Sequence, residues 1–232
     1  MFFLKIKIYF WTIRTLVLRY LSKNISNKSY IARNVQIIGV KNTSIGENTT
    51  IGEGSLLTIN NRNTSDISLK IGSNVYIGRD NFFTVGKLVH ISDYCIIGNK
   101  CSFICSNHNF ESPLVPYSQS GATYVNSISM GVNCWIGNNV SIIGNVKIGH
   151  GSIIGANSLV LKDIPPFCLA YGNPLKIVKR FDFDISKWVS YDINYNGNNQ
   201  YYNESFYLSY LKQNFNDVDL AYHSSSSEFK DI

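Results

Sequence analysis

His108 stands in the stretch "SFICSNHNFESPLVPYSQSG" at the point where a six-residue beat of aliphatic side chains stops. Neutral imidazole accepts a proton near physiological pH, which suits it to deprotonate an attacking hydroxyl or amine. The competing reading of His108 is an ordinary loop histidine. His90 lies 18 residues earlier, and three hexads make one coil, so the spacing predicts that the two rings stack at one corner. His90 then tunes His108 or touches a substrate, or it is a plain exposed corner residue. Glu111 or a loop carbonyl is placed to fix the tautomer of His108. Asn81, in "RDNFFTV", is a further polar candidate, with an inward corner cap as its alternative. Lys162, Lys176, Lys179 and Arg180 put positive charge after the last hexads, where it suits phosphate groups. A solvated charged face is the competing reading. His150 and His223 have no such placement.

The beat that positions these residues is a repeat of six. Met130, Ile136, Ile142, Ile148, Ile154 and Val160 are spaced by six, and Gly follows the aliphatic in "IGNNVS", "IGHGSI" and "IGANSL". Such a period fits neither a helix nor a flat sheet; it reads as short strands joined by tight corners, stacked into coils. Gly is expected to supply corner backbone angles. Earlier in the chain Ile31, Ile51, Ile71 and Ile91 are 20 apart, as are Ile37, Leu57, Ile77 and Ile97, so each early coil is expected to carry two extra residues. Ile91, Ile97 and Phe103 form a coil. An excursion over about 109–129 then interrupts the stack, and Met130 to Ile142 and Ile148 to Val160 give two more coils.

The run "IGNNVSIIGNVKIGHGSIIGANSLVLKDIPPFCLAYGNPLKIVKRF" resembles the C-terminal half of the hexapeptide-repeat acyltransferases, and the resemblance covers roughly residues 30–181. It implies a mainly β fold, a left-handed parallel β-helix, and transfer of an acetyl group from acetyl-CoA. It also implies a homotrimer whose excursion loops reach towards neighbouring subunits, with His108 as general base at the root of the loop. The resemblance places Asn81 by the acceptor; His90, by its spacing, and Glu111, as a candidate partner of the His108 ring, are kept beside it as substrate-site candidates. It places Asn138, Ala156, Lys162, Lys176, Lys179 and Arg180 by coenzyme A, and Trp135 either along the donor groove or at the subunit interface. No metal is implied. A γ-type carbonic anhydrase on the same fold would need three histidines around zinc, and only His90 and His108 fall near each other in this spacing. The other readings kept are an N-acetyltransferase acting on an amino sugar and a non-catalytic β-helix scaffold.

The flanks are different in character. All eight Lys and Arg residues up to Lys41 precede the first acid, Glu47, within a net charge of +6. The residues between them are apolar (Phe2, Phe3, Trp11, Leu16, Leu18), which argues against nucleic acid and for either a membrane surface or packing on the protein itself. Arg14 and Arg19 break up any spanning or signal segment. The organisation expected is therefore a helical segment 1–29, a β-helix 30–181 and an extension 182–232. In that extension "FDFDISKWVS" is read as a short helix and the Tyr/Asn-rich stretch as an interface or a glycan surface. "HSSSSEFKDI" is read as a loose tail. The five cysteines, odd in number and without CxxC spacing, read as free thiols in a reducing cytosol, with Cys95, Cys101 and Cys134 in the core. A cytoplasmic enzyme at the inner face of the membrane, acting on a sugar or surface glycan, is the resulting expectation.

Overall fold

The computed structural model describes residues 16–193 and 199–215. The hexads fold into short strands that stack, coil on coil, into three parallel faces. The first face carries Tyr30–Ile31, Thr50–Ile51, Tyr76–Ile77, Ile96–Ile97, Trp135–Ile136 and Ile153–Ile154. On the second face lie Gln36–Ile38, Leu56–Ile59, Phe82–Val85, Ser102–Ile104, Ser141–Ile143 and Leu159–Val160. Thr43–Ile45, Leu69–Ile71, Leu88–Ile91, Ser127–Met130 and Val146–Ile148 make the third. Each strand sends its beat residue inward. Ile91, Met130 and Ile148 are in register, as are Ile97, Ile136 and Ile154, and Phe103, Ile142 and Val160. All nine are fully buried, and Phe83 stacks on Phe103 with ring centroids 4.4 Å apart. Burial of these columns at about 25 cal/mol per Å² supplies the main driving force. The ladders satisfy the backbone from one coil to the next.

The early register differs from the expectation. Ile31 pairs with Ile51, but Ile51 pairs with Ile77, 26 residues on. Ile71 and Ile91 lie on the third face instead, where Ile71 pairs with Ile45. The cause is a long loop between Ile59 and Leu69, which lengthens one coil by a whole hexad's worth of chain. Asn42 holds this loop in place by donating through Nδ2 to the carbonyls of Thr64 and Asp66.

Corner chemistry also departs from the expectation. Gly98 and Gly137 are not needed for a positive φ. A Cβ on Gly98 would sit 2.8 Å from the carbonyl carbon of Gly137, and one on Gly137 would sit 2.6 Å from the nitrogen of Ala156. The glycines permit close stacking. After Gly137 and Gly155 the left-handed turn falls on the asparagine two residues later: Asn139 and Asn157 have φ of 57° and 59°. Asparagine tolerates that region better than other side chains, and Asn34, Asn48, Asn74 and Asn133 adopt it as well. At the next position a small side chain points inward and bonds the adjoining coil. Cys95, Cys101 and Cys134 donate through Sγ to the carbonyls of Gly131, Gly137 and Gly149. All five cysteines are buried free thiols. Burial raises the pKa of Cys95, Cys101 and Cys105, and lifts that of Cys168 to about 11.

The C-terminal extension closes the stack. Cys168–Tyr171 joins the first face in parallel, and Lys176–Asp182 and Lys187–Ser190 continue it as an antiparallel hairpin. The segment expected to be a short helix is therefore a turn and strand. Its aromatic residues face one another across the hairpin, with Phe181 opposite Trp188, and the hairpin covers what would be an open sheet edge. A helix, Glu204–Asn214, then folds back along the corner between the third and first faces. Asn203 caps it through its side chain. Lys212 pairs with Asp93 at 3.3 Å, Tyr207 meets the Asn133 amide, and Leu211 is buried. At the other end residues 16–21 are helical, and Arg19 donates to the carbonyls of Ser26 and Asn27. No helix among the described residues is long and apolar enough to cross a membrane. The expectations for residues 1–15 and for the tail beyond 215 lie outside the described residues.

Candidate active site

The excursion leaves the second face after Ile104 and returns to the third at Ser127. Its root is a short antiparallel ribbon in which Asn107 pairs with Thr123 and His108 with Ala122. Asn109 N donates to the Gly121 carbonyl and closes the ribbon. Beyond it Phe110 and Leu114 are 69% and 91% exposed, so the loop projects apolar groups into solvent. The loop from the long early coil supports the root from beside it, with Asn60 Nδ2 donating to Ser106 Oγ at 2.5 Å. Nearby on the second face, Thr84 Oγ1 is buried without a hydrogen-bond partner among the described residues.

His108 is exposed, and its backbone N–H is held by Asn107 Oδ1 at 2.9 Å. Its ring makes no hydrogen bond among the described residues. Glu111 is not its partner: Glu111 N donates to Asn109 Oδ1 in a side-chain turn that carries the chain onward. His90 does not stack on His108 either. It sits on the third face between Lys70 and Ser129, whereas His108 is on the ribbon. The 18-residue spacing misleads because the ribbon leaves the coil before a third-face strand can form.

Asn81 lies inside the corner, 1% exposed. Its amide nitrogen donates to the carbonyls of Gly78 and Gly98 at 2.8 and 3.0 Å, and its oxygen accepts from Cys101 N at 2.8 Å. This placement is the inward cap, and it leaves the side chain nothing to offer a substrate.

The residues matched to the coenzyme divide similarly. Asn138 and Ala156 are exposed at the corner between the first and second faces. Asn138 Oδ1 accepts from Asn99 N, and Asn99 Oδ1 in turn accepts from Arg79 N. At Ala156 this side-chain ladder ends and the corner narrows to a methyl group. Trp135 is 54% exposed on the first face beside Ile96 and Ile153. Lys162, Lys176 and Lys179 are exposed. Arg180 is not: it is 5% exposed, packs over Cys168 and donates to the Asp192 carbonyl at 3.5 Å. On strand Lys176–Asp182 its neighbour Lys179 points the opposite way, as alternation requires. Arg180 therefore belongs to the interior of the hairpin and not to an anion site.

A second polar feature has no signal in the repeat. A cleft of about 480 Å³ opens at the corner between the third and first faces. His90, Ser129 and Lys147 lie along it, and His150, Asp163, Tyr202 and Glu204 complete it. His150 could not be placed from the hexads, because what makes it special is the extension: its Nε2 donates to the Tyr201 carbonyl at 3.0 Å. Burial lowers the pKa of both histidines. Lys70 adds to the effect on His90 and Lys147 on His150, while Glu204 and, for His90, Asp93 oppose it. A histidine held below its ordinary 6.5 binds its proton less well folded than unfolded. Stability is therefore full above that value and falls as pH drops through it, until the folded groups themselves titrate. Melting followed by circular dichroism should show a lower midpoint at acidic pH than at neutral pH. In His90→Gln/His150→Gln this loss should be smaller; an unchanged loss would assign it elsewhere.

Residues 127–162 match the family profile "Bacterial transferase hexapeptide (six repeats)". The chain is 39% identical over 120 residues to the Staphylococcus aureus (strain Mu50) protein SAV2555, named as a presumed acetyltransferase, covering 51% of this chain and 58% of that one. It is 36% identical over 115 residues to galactoside O-acetyltransferase of Escherichia coli K12, covering 48% and 56%. The match thus spans somewhat over half the length of these relatives. Among solved structures, the hexapeptide-repeat acetyltransferase VCA0836 of Vibrio cholerae, complexed with acetyl-CoA, superposes with a TM-score of 0.52 at 24% identity, over 61% of this chain and 72% of that one. A point mutant of AntD, an N-acyltransferase of Bacillus cereus in complex with dTDP and coenzyme A, does so with 0.60 at 20%, over 72% and 89%. These likenesses bear on the fold, and the left-handed parallel β-helix read from the sequence stands.

Proposed function

We propose that this chain, whose repeats match the hexapeptides of bacterial transferases, moves an acetyl group from acetyl-CoA to a hydroxyl of a sugar or bacterial surface glycan. The observation that carries the reading is His108, exposed on a ribbon that breaks an otherwise continuous ladder. The name of the galactoside O-acetyltransferase relative favours a hydroxyl over an amine. Neutral His108 takes the proton of the acceptor hydroxyl as its oxygen attacks the thioester carbonyl. The C–S bond then breaks, and the departing thiolate recovers the proton from the imidazolium as free coenzyme A. No cysteine takes part, in keeping with five buried thiols.

The donor would lie along the corner of Asn138 and Ala156. The missing side chain at Ala156 admits close approach of a pantetheine arm, and exposed Lys162, Lys176 and Lys179 suit its phosphates. The unpartnered His108 ring supports a homotrimer, in which a neighbouring subunit supplies what orients it. Leu16, Val17 and Tyr20 are 52%, 55% and 91% exposed, which supports peripheral contact between the N-terminal segment and a membrane.

A screen of sugars, amino sugars and glycan oligomers with acetyl-CoA, read as free thiol released, tests the reading. Thiol release with hydroxyl acceptors is expected, and release with amino sugars alone would replace it by N-acetylation. Lys176→Glu/Lys179→Glu should raise the KM for acetyl-CoA about tenfold, or about 1.4 kcal/mol, with kcat little changed. An unaltered KM would remove the hairpin lysines from the donor site.

A further inference from the structure

The cleft at the corner between the third and first faces has the construction of a ligand site, and acyl transfer by His108 does not use it. Its floor is built on three adjacent strands, with His90, Ser129 and Lys147 in register. Ile164, Pro165 and Pro166 of the last coil form an apolar wall, and Tyr202 and Glu204 of the extension border it on another side. At about 480 Å³ it falls within the roughly 300–1,000 Å³ usual for small-molecule sites.

Its polar groups are fixed before any ligand arrives. Glu204 Oε1 accepts from Val132 N at 2.8 Å, and Asp163 Oδ1 accepts from Lys147 N at 2.8 Å. Each carboxylate keeps a second oxygen as an acceptor. His150 must carry its proton on Nε2 to bond the Tyr201 carbonyl, which leaves Nδ1 as an acceptor. Ser92, Ser129 and Lys147 bring donors. Burial lowers the pKa of both histidines, and the cleft's carboxylates, Asp163 and Glu204, outnumber its one ammonium, Lys147, a balance that disfavours anions. Among the described residues no group of three or more His, Cys, Asp or Glu side chains could hold a metal ion.

We propose that this cleft binds a neutral pyranose: interspersed donors and acceptors meet a ring of hydroxyls, and the prolines and Ile164 meet its C–H face. Taken with the glycan acetylation proposed above, on which this further step rests, the cleft holds a sugar unit other than the one being acetylated. It lies at a different corner from the excursion.

The test reads binding alone, so its failure would leave acyl transfer untouched. The full chain, without acetyl-CoA, is titrated with methyl β-galactopyranoside, methyl α-glucopyranoside and N-acetylglucosamine while the histidine imidazole resonances are followed by NMR. At least one sugar should shift His90 and His150 saturably; a shift of His108 by the same sugar marks acceptor binding at the excursion and is scored separately. Ser129→Phe, which fills the floor from an outward strand position, should weaken binding by about tenfold or more, and Lys147→Ala should weaken it in the same direction. His108→Ala should bind as the parent does. The proposal is overturned if no sugar shifts His90 or His150 at its solubility limit, or if the shifts persist unaltered in both variants. Inorganic phosphate producing the larger shifts would overturn it as well.

Discussion

His108→Ala is expected to lower acetyl transfer by about 10²–10⁴-fold, the usual weight of a general base, with the KM for acetyl-CoA little changed. The size follows from what the described residues lack elsewhere. The thiols are buried, and burial raises the pKa of Cys95, Cys101, Cys105 and Cys168. His90 and His150 are bound up in another corner, and the hydrogen bond that holds Glu111 in its loop is from its backbone N–H to Asn109 Oδ1, with none to His108. Among the described residues His108 is the exposed imidazole on the excursion. The split between kcat and KM follows from its distance in the fold from the donor's handles. His108 stands on the ribbon between the second and third faces, whereas Asn138 and Ala156 line the corner between the first and second. The measurement is steady-state thiol release at saturating acceptor, with coenzyme A affinity taken separately by titration. A variant that keeps parental turnover would return His108 to an ordinary loop histidine. A variant that loses coenzyme binding in proportion to turnover would make it part of the donor site.

The β-helix was legible in the sequence because its signal repeats: each hexad restates the same inward aliphatic and the same small corner residue. From Ile91 onward even the register could be read, since Ile91, Met130 and Ile148 pair as counted. What could not be read were departures from periodicity. The loop between Ile59 and Leu69 moved Ile71 to another face, and nothing in a count of aliphatics distinguishes an insertion at one corner from two residues spread over each coil. The helix Glu204–Asn214 was out of reach for a different reason. Glu204 bonds Val132 across 72 residues of sequence, and tertiary contacts of that kind leave no local pattern. The cleft it helps to form was hidden with it. Arg180 shows a third limit. A basic cluster in sequence does not say which cations face solvent, and strand alternation put Lys179 outside and Arg180 within.

The corner amide of Asn81 gives the second large effect, on stability instead of chemistry. Asn81→Ala should destabilise the fold by roughly 3 kcal/mol or more, because it strips buried backbone groups of their partners, at about 1–3 kcal/mol for each. The Cys101 N–H loses its acceptor and the Gly98 carbonyl loses its donor. The Gly78 carbonyl retains a 3.3 Å bond from Ser55 Oγ and suffers less. For a chain of this size that cost corresponds to a fall in melting temperature of about 6–12 °C. Asn81→Asp should be no better, since a carboxylate can accept from Cys101 but cannot donate to Gly98, and its charge would be buried. Turnover per folded molecule and the KM values for donor and acceptor should stay at parental levels in Asn81→Ala below its melting range. An amide that faced the acceptor would behave the opposite way, with acceptor KM rising and the melting temperature unmoved. Thermal denaturation and acceptor kinetics on the same preparation therefore decide between them, and an unmoved midpoint would remove Asn81 from the corner's hydrogen-bond network.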